Sequence, residues 1–375
     1  MKKSFQTIVL LVFLKTLIVN PVFCQDENGN TSTSQVNTVT TAVPFLMINP
    51  DARSGGLGGA GVSSTPDVYS MQWNPAKYAF IEDNGGFALS YTPWLRNLNN
   101  DLGLFYLNGY FKVSDKQTIA SSLRYFALGE TQFFVPMGVY KPRELALDVA
   151  YSIALSEYFA TAIALRYIYS DLTQGQVVGG GTIANKPGQA LAFDIATYYN
   201  RKLPWELPIY FALGLNISNI GNKISYTDDI KPQFLPTNLR LGPSLTVKFS
   251  EANRLSFMVD MNKLLVPTPN HERMEEINDM SVFVGMLNSF STAPGGISEH
   301  MNEIKYAFGV EYRHKHFAVR QGYFHEHRNK GNRKFLTFGA GVYFGVFSFN
   351  LSYLYPIGFL SPLQNTIAFS LGFNF

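Results

Sequence analysis

The chain has 375 residues, with 30 lysines and arginines, 27 aspartates and glutamates and a formal net charge of +3; charged and aromatic residues each make up 15%. A soluble domain is about a quarter charged and a nucleic-acid binder needs a basic surface, so neither class fits and no nucleic-acid partner is expected. The one cysteine, Cys24, rules out an intrachain disulfide.

Lys2 and Lys3 precede a mostly apolar run from Phe5 to Val22, which is the pattern of an export signal. Val22 and Cys24 fit a signal-peptidase site releasing a chain that starts at Gln25; a lipobox would need a small residue where Phe23 stands. Residues 1–24 hold Lys2, Lys3 and Lys15 and no acid, so the released chain carries no net charge. Beyond them no apolar run approaches the ~18 to 20 residues of a membrane helix. Export, abundant aromatics and no membrane helix together predict a transmembrane β-barrel.

Residues 25–43 form a polar lead without bulky side chains until its end, and a flexible segment is expected there. The character changes at Pro44. Asp51 and Arg53 lead into a glycine-dense stretch with Gly58, Gly59 and Gly61, which suits tight, close-packed turns. The Gly-Lys-Ser/Thr ending of a phosphate loop is missing. Trp73, Asn74 and Pro75 follow, and residues 44–86 are assigned to an N-terminal plug ahead of a barrel over 87–375.

From Phe87 onward side chains alternate with period two. Strands are expected near 87–94, 102–113, 117–128, 144–154, 158–170, 190–199, 208–218, 238–248, 253–263, 304–313, 316–325, 334–344, 347–355 and 365–375. That gives about 14, close to the ~9 to 11 residues of a tilted spanning strand. The last strand puts Ile367, Phe369, Leu371, Phe373 and Phe375 on one face and small or polar residues on the other. A soluble sandwich would charge its outward faces; these are apolar. Connections alternate short and long around the chain, as outer-membrane barrels require. An even strand count places both termini on the periplasmic side.

Arg124, Asp148, Arg166, Asp194, Arg240, Asp260, Glu311 and Arg320 share the inward parity of their strands. Facing lipid, each would cost roughly 2 to 4 kcal/mol near the midplane. A tight turn at Glu157 sets Asp148 opposite Arg166, and a cross-strand ion pair is predicted. The longest connection, 264–303, holds a charged stretch with helical potential and then Val282, Phe283, Met286, Leu287 and Phe290. Such an apolar stretch outside the membrane is expected to fold over the barrel mouth, to dock a partner, or both.

Catalytic and metal chemistry find little support. His325-Glu326-His327 lacks a third ligand and the HExxH spacing, nothing orients Ser298 and His300 as nucleophile and base, and no Gly-x-Ser-x-Gly elbow is present. No enzyme activity and no cofactor is expected; bound lipid or detergent is the one non-protein occupant the reading allows.

The strings Pro50-Asp-Ala-Arg, Gly58-Gly-Ala-Gly-Val and Trp73-Asn-Pro-Ala resemble the N-terminal hatch of FadL-type outer-membrane proteins. The longer strings from Asn49 to Gly56 and from Trp73 to Phe80, with Asn216-Ile-Ser-Asn-Ile-Gly221, are similar to the PorV-type barrels of the type IX secretion system. The resemblance implies a 14-stranded barrel with a plugged lumen and an adaptor role. Such barrels take secreted cargo with C-terminal signal domains from a large outer-membrane translocon. They pass it to a surface attachment complex whose protease removes the signal. A FadL-like porter of hydrophobic molecules is the alternative. Phe375 resembles the terminal aromatic that marks outer-membrane proteins for insertion.

Overall fold

Period-two alternation becomes a wall. In a computed structural model that describes residues 37–95, 101–134, 137–174, 186–227, 231–358 and 363–375, the strands are β1 (Gly85–Pro93), β2 (Leu102–Ser114), β3 (Gln117–Leu128), β4 (Thr131–Phe134), β5 (Met137–Tyr140), β6 (Arg143–Ala154), β7 (Phe159–Asp171) and β8 (Gly188–Lys202). They continue as β9 (Ile209–Gly221), β10 (Asn238–Ser250), β11 (Asn253–Leu264), β12 (Lys305–His314), β13 (Phe317–His325), β14 (Lys334–Phe344), β15 (Phe347–Pro356) and β16 (Thr366–Asn374). All but β4 and β5 form one closed antiparallel barrel of 14 strands. The proposed signal peptide and residues 25–36 of the lead lie outside the described residues.

Closure is made where the aromatic alternation requires it. β16 pairs with β1, setting Phe373 opposite Phe87 and Leu371 opposite Leu89, so neither sheet edge stays open. On β7 and β8, Leu165 is 66% and Leu191 67% exposed, whereas Ala164 and Ala192 between them are buried. The apolar face therefore points outward, to the solvent a bilayer provides. One connection departs from expectation: between β3 and β6, β4 and β5 pair as a separate two-stranded sheet. Four-residue strands are too short for periodicity to register.

The strongest irregularity lies between β8 and β9. Pairing steps from Phe193↔Ile220 to Ile195↔Ile217, leaving Asp194 opposite a two-residue bulge. Asn219 enters the left-handed region at φ 62°, a conformation asparagine tolerates better than most residues. Its amide donates to Asp194 Oδ1 at 2.8 Å and its Nδ2 to the Pro236 carbonyl at 3.0 Å. The Asn216–Gly221 motif thus builds a re-aimed wall segment.

The buried core sits between the inward wall and residues 42–81. These include short helical turns at Pro44–Met47, Ala52–Gly55, Ser70–Trp73 and Pro75–Phe80. Phe45 and Leu46 cluster with Leu104, Phe126 and Ile168. Ala76 and Ala79 meet Ala160, Ala162 and Ala196. The wall is small where the chain approaches most closely. A Cβ on Gly322 would lie 2.1 Å from Gly58 N and 2.2 Å from the Leu57 carbonyl carbon. Gly58 reciprocates: its φ is 70°, and a side chain there would meet the Tyr323 backbone at 2.8 Å. Glycine in a strand ordinarily costs stability relative to alanine, yet Gly322→Ala is expected to destabilise by about 1 to 3 kcal/mol because two backbones must separate. Urea unfolding of the barrel in detergent checks this; an unchanged or raised midpoint would contradict the contact.

Candidate functional site

Three sets of contacts fix the Asp51–Pro75 region, the first within the segment and the other two reaching the barrel wall. Asp51 caps the turn at Ala52–Gly55 by accepting from Ser54 N at 2.8 Å and also accepts from the Trp73 indole at 2.6 Å. Burial, then the charge of Asp67, pushes the Asp51 carboxyl up to about 6 against those two hydrogen bonds. The side chain is fully buried, so the bonds fix the hairpin of chain between the two motifs rather than a ligand.

Arg53 is the second anchor. Its Nη2 lies 2.8 Å from Glu311 Oε1 and its Nη1 2.5 Å from Asp67 Oδ2, and it donates to the Thr65 carbonyl at 3.0 Å. Glu311 also accepts from Arg320 Nε at 2.6 Å, and Arg320 extends to Asn350 at 2.9 Å and Tyr343 at 2.6 Å. One wall carboxylate therefore serves two buried guanidinium groups through charge-assisted hydrogen bonds.

The glycines and the Asn-Pro pair supply the third. Gly58 N donates to Thr337 Oγ1 at 2.8 Å, and Gly61 N and Val62 N donate to Asp260 Oδ2 at 2.8 and 2.9 Å. At Gly59, φ is 84°, which turns the chain without a Cβ penalty. Asn74 is central: its Nδ2 donates to the Val62 and Thr197 carbonyls at 3.0 and 2.9 Å, and its Oδ1 accepts from Ala76 N at 3.0 Å. Pro75 opens the following turn, where its missing N–H costs nothing. Lys77, wholly buried, spans Gly61 O and Ser64 Oγ at 2.9 Å each, and burial draws its ammonium down to about 8.

Among the lumen charges, Asp148 pairs with Arg166 across β6 and β7 in the expected register. Arg166 continues to Asp194 Oδ2 at 3.1 Å, and Arg124 reaches Asp148 Oδ2 at 3.5 Å and the Leu46 carbonyl at 3.2 Å. Arg124, Asp148, Arg166 and Asp194 thus form one chain of alternating sign along β3, β6, β7 and β8, distinct from the Arg53–Glu311–Arg320 group. Parity marked Arg320 and Asp260 as inward but did not reveal what they bind.

The long connection stands apart from both networks. Helical segments occupy Met274–Asp279, Val282–Asn288 and Gly296–Asn302. Ser281 caps the second, whose Gly285 packs so closely that a Cβ would touch Phe234 at 2.8 Å. Burial of the apolar stretch is only partial. Val282 and Met286 are half-buried, but Phe283, Leu287 and Phe290 are 64%, 76% and 53% exposed. Their i, i+4, i+7 spacing puts them on one side of the turn, opposite the face that Gly285 and Ser289 bury.

The His325–His327 stretch does not assemble a metal site. Glu326 accepts from Arg333 Nε at 2.7 Å and pairs with Lys305 at 3.2 Å, and among the described residues no cluster of three or more His, Cys, Asp or Glu could hold a metal ion. His300 is occupied on both ring nitrogens, by Ala293 N and by Glu303.

Two cavities lined by described residues bear on the site. One, of about 380 Å³, is lined mainly by apolar side chains including Phe45, Ile48, Trp94, Phe126 and Leu128, with Arg240 and Lys305 on its wall. The other, of about 340 Å³, is polar and lies toward the short-turn end.

Comparison with known proteins adds to this geometry. The family profile described as Type IX secretion system protein PorV matches residues 31–271. A search of curated proteins returned no match. Among solved structures, the Pseudomonas putida toluene transporter TodX aligns at 11% identity and TM-score 0.51, covering 91% of this chain and 100% of that one. The Ralstonia pickettii toluene transporter TbuX aligns at 10% identity and TM-score 0.47, covering 87% and 98%. At these identities TodX attests the fold.

Proposed function

Because this chain belongs to the PorV family of type IX secretion system proteins, an outer-membrane barrel, we propose that it acts as an adaptor that handles cargo on its outer surface rather than through its lumen. In this reading residues 44–86 plug the barrel, both termini lie in the periplasm, and the long connections face outward. Cargo with a C-terminal signal domain is received beside a large translocon and released to the attachment complex. The observation that carries it is the rim patch. Phe283, Leu287 and Phe290, with Ile297 at 84% and Met301 at 55% exposure, are large apolar side chains left exposed on the long connection, and grouped exposed apolar surface marks an interaction site. Val282 and Phe283 also border a groove with the outward Leu165, Leu191 and Phe193, so the patch continues onto the lipid-facing wall. The chain of hydrogen bonds from Asp51 to Asn74 supports a closed lumen, leaving the rim as the contact surface.

A second reading, a porter of hydrophobic small molecules, is favoured by the mostly apolar 380 Å³ cavity, whose lining suits a small greasy ligand. Affinity purification of the tagged barrel from its host separates the two. Co-purifying translocon or signal-bearing cargo supports the adaptor, whereas a stoichiometric hydrophobic molecule with neither protein supports the porter and counts against the first reading.

A further inference from the structure

Three cations form a row that neither ion network uses. Lys248 lies near the end of β10 and pairs in register with Arg254 of β11, which in turn pairs with Arg313 of β12. All three share the inward parity of their strands, continuing Ser244 and Thr246, Ser256 and Met258, and Gly309 and Glu311. They line the same polar cavity of about 340 Å³ at the end of the barrel closed by the short turns. Directly opposed positions in a sheet bring Cβ atoms to about 5 Å, and like charges there are destabilising. No ion pair among the described residues offsets it. Among the described residues no carboxylate lies within 4.0 Å of any of the three, and none of their side chains makes a hydrogen bond to the protein.

The acids of this region pair with none of the three. Glu311 holds Arg53 and Arg320 and Asp67 holds Arg53, while Glu82 and Asp83, which precede β1, line the same cavity without an ion pair to the row. Aromatic faces steady two of the cationic heads: Lys248 Nζ sits 4.8 Å from the Tyr210 ring and the Arg313 guanidinium 3.4 Å from the Tyr343 ring. Two further donors on the cavity wall are buried without a partner, Arg254 Nε and the hydroxyl of Ser63, a residue only 1% exposed.

We propose that Lys248, Arg254 and Arg313, with Ser63, form a binding site for a phosphate group at the short-turn mouth of the barrel. Two guanidinium forks match tetrahedral oxyanions, and a dianion offsets more of a triple positive charge than a carboxylate does. Its additional oxygens give the hydroxyl and Nε donors acceptors. The row is reached from the short-turn side, where both inorganic phosphate and the headgroup of a phospholipid can approach.

The test uses the full barrel in detergent, titrated with inorganic phosphate by calorimetry, with acetate as the competing monoanion. Saturable phosphate binding that weakens roughly tenfold or more in R254Q and again in R313Q is expected, each change removing a charge-assisted contact. Wild type in nanodiscs with phosphatidylglycerol provides the second arm. Lipid retained through purification by wild type and lost in R254Q/R313Q, with no response to inorganic phosphate, assigns the site to a headgroup. Unfolded variants are recognised by loss of the heat-dependent shift in gel mobility, and then R254K and R313K are used, expected to keep the fold and bind several-fold more weakly. Phosphate binding unaltered by these changes, equal displacement by acetate, or no response in either arm overturns the proposal. None of these readouts depends on cargo or translocon, so the adaptor reading can fail without it.

Discussion

Glu311→Ala is expected to lower the stability of the barrel by about 3 to 5 kcal/mol, because removing one member of a buried ion group leaves its partners charged and unpaired. Glu311 is 1% exposed and accepts from Arg53 at Nε and Nη2 and from Arg320 at Nε. Arg53 retains Asp67 and Thr65, so the greater loss falls on Arg320, which keeps only the neutral acceptors Asn350 and Tyr343. Glu311→Gln preserves one carbonyl oxygen and is expected to cost less. The measurement is urea unfolding in detergent followed by tryptophan emission, and Trp73 reports directly because it lies on the segment that Arg53 tethers. The double variant Arg53→Ala/Glu311→Ala separates tether from wall. If the two changes add within about 0.5 kcal/mol, the side chains are energetically independent and the tether does not exist. A Glu311→Ala midpoint matching wild type would remove the ion group from any account of stability.

Much of this architecture was legible because one-dimensional rules govern barrels closely. The strand count follows from period-two alternation, since a one-residue slip would turn every Phe of β16 from lipid to lumen. Asp148 and Arg166 were paired correctly because a tight turn converts sequence spacing into register; Leu155 N and Ser156 N both donate to the Phe159 carbonyl. Inward parity marked Glu311 and Arg320 as lumen residues for the same reason. What parity does not supply is the partner. Arg53 meets Glu311 across 258 residues and Gly58 meets Thr337 across 279, contacts that depend on how an irregular segment folds inside the wall. The glycines of Gly58–Gly61 announced close approach without saying to what. Lys248 and Arg254 were missed although they flank the 250–253 turn with inward parity. They were unremarkable singly, and only the register of three strands joins them to Arg313. The exposed rim helix is the reverse case: its composition was plain, but composition left open whether the stretch folds over the barrel mouth or docks a partner, and within 282–290 only Gly285 and Ser289 are buried.

That helix carries the other large expected effect. Phe283→Asp and Leu287→Asp together are expected to abolish recovery of the translocon with the tagged barrel, at roughly tenfold or more per side chain, while leaving the barrel folded. The first half follows from burial: an apolar side chain removed from water on docking contributes about 1.5 to 3 kcal/mol, and anchors at the centre of an interface dominate its energy. The second follows from exposure. Both side chains already face water, and surface changes away from special features shift stability by about 0.5 kcal/mol or less. The variant should therefore keep the wild-type urea midpoint and heat-dependent gel mobility, and its phosphate binding should be untouched, since Lys248, Arg254 and Arg313 lie at the opposite end of the strands. Quantitative co-purification from the host, with wild type and Glu276→Gln as references, is the measurement. Glu276 is an exposed acid on the neighbouring Met274–Asp279 helix, bonded to Arg273 at 2.7 Å, and its neutralisation tests whether the connection acts through charge. Loss in the apolar variant alone identifies a hydrophobic dock. Loss in Glu276→Gln alone moves the contact to the acidic turn. Wild-type recovery in both would mean that the rim patch faces lipid, as its continuity with Leu165 and Leu191 allows, and that the translocon is engaged elsewhere on the barrel.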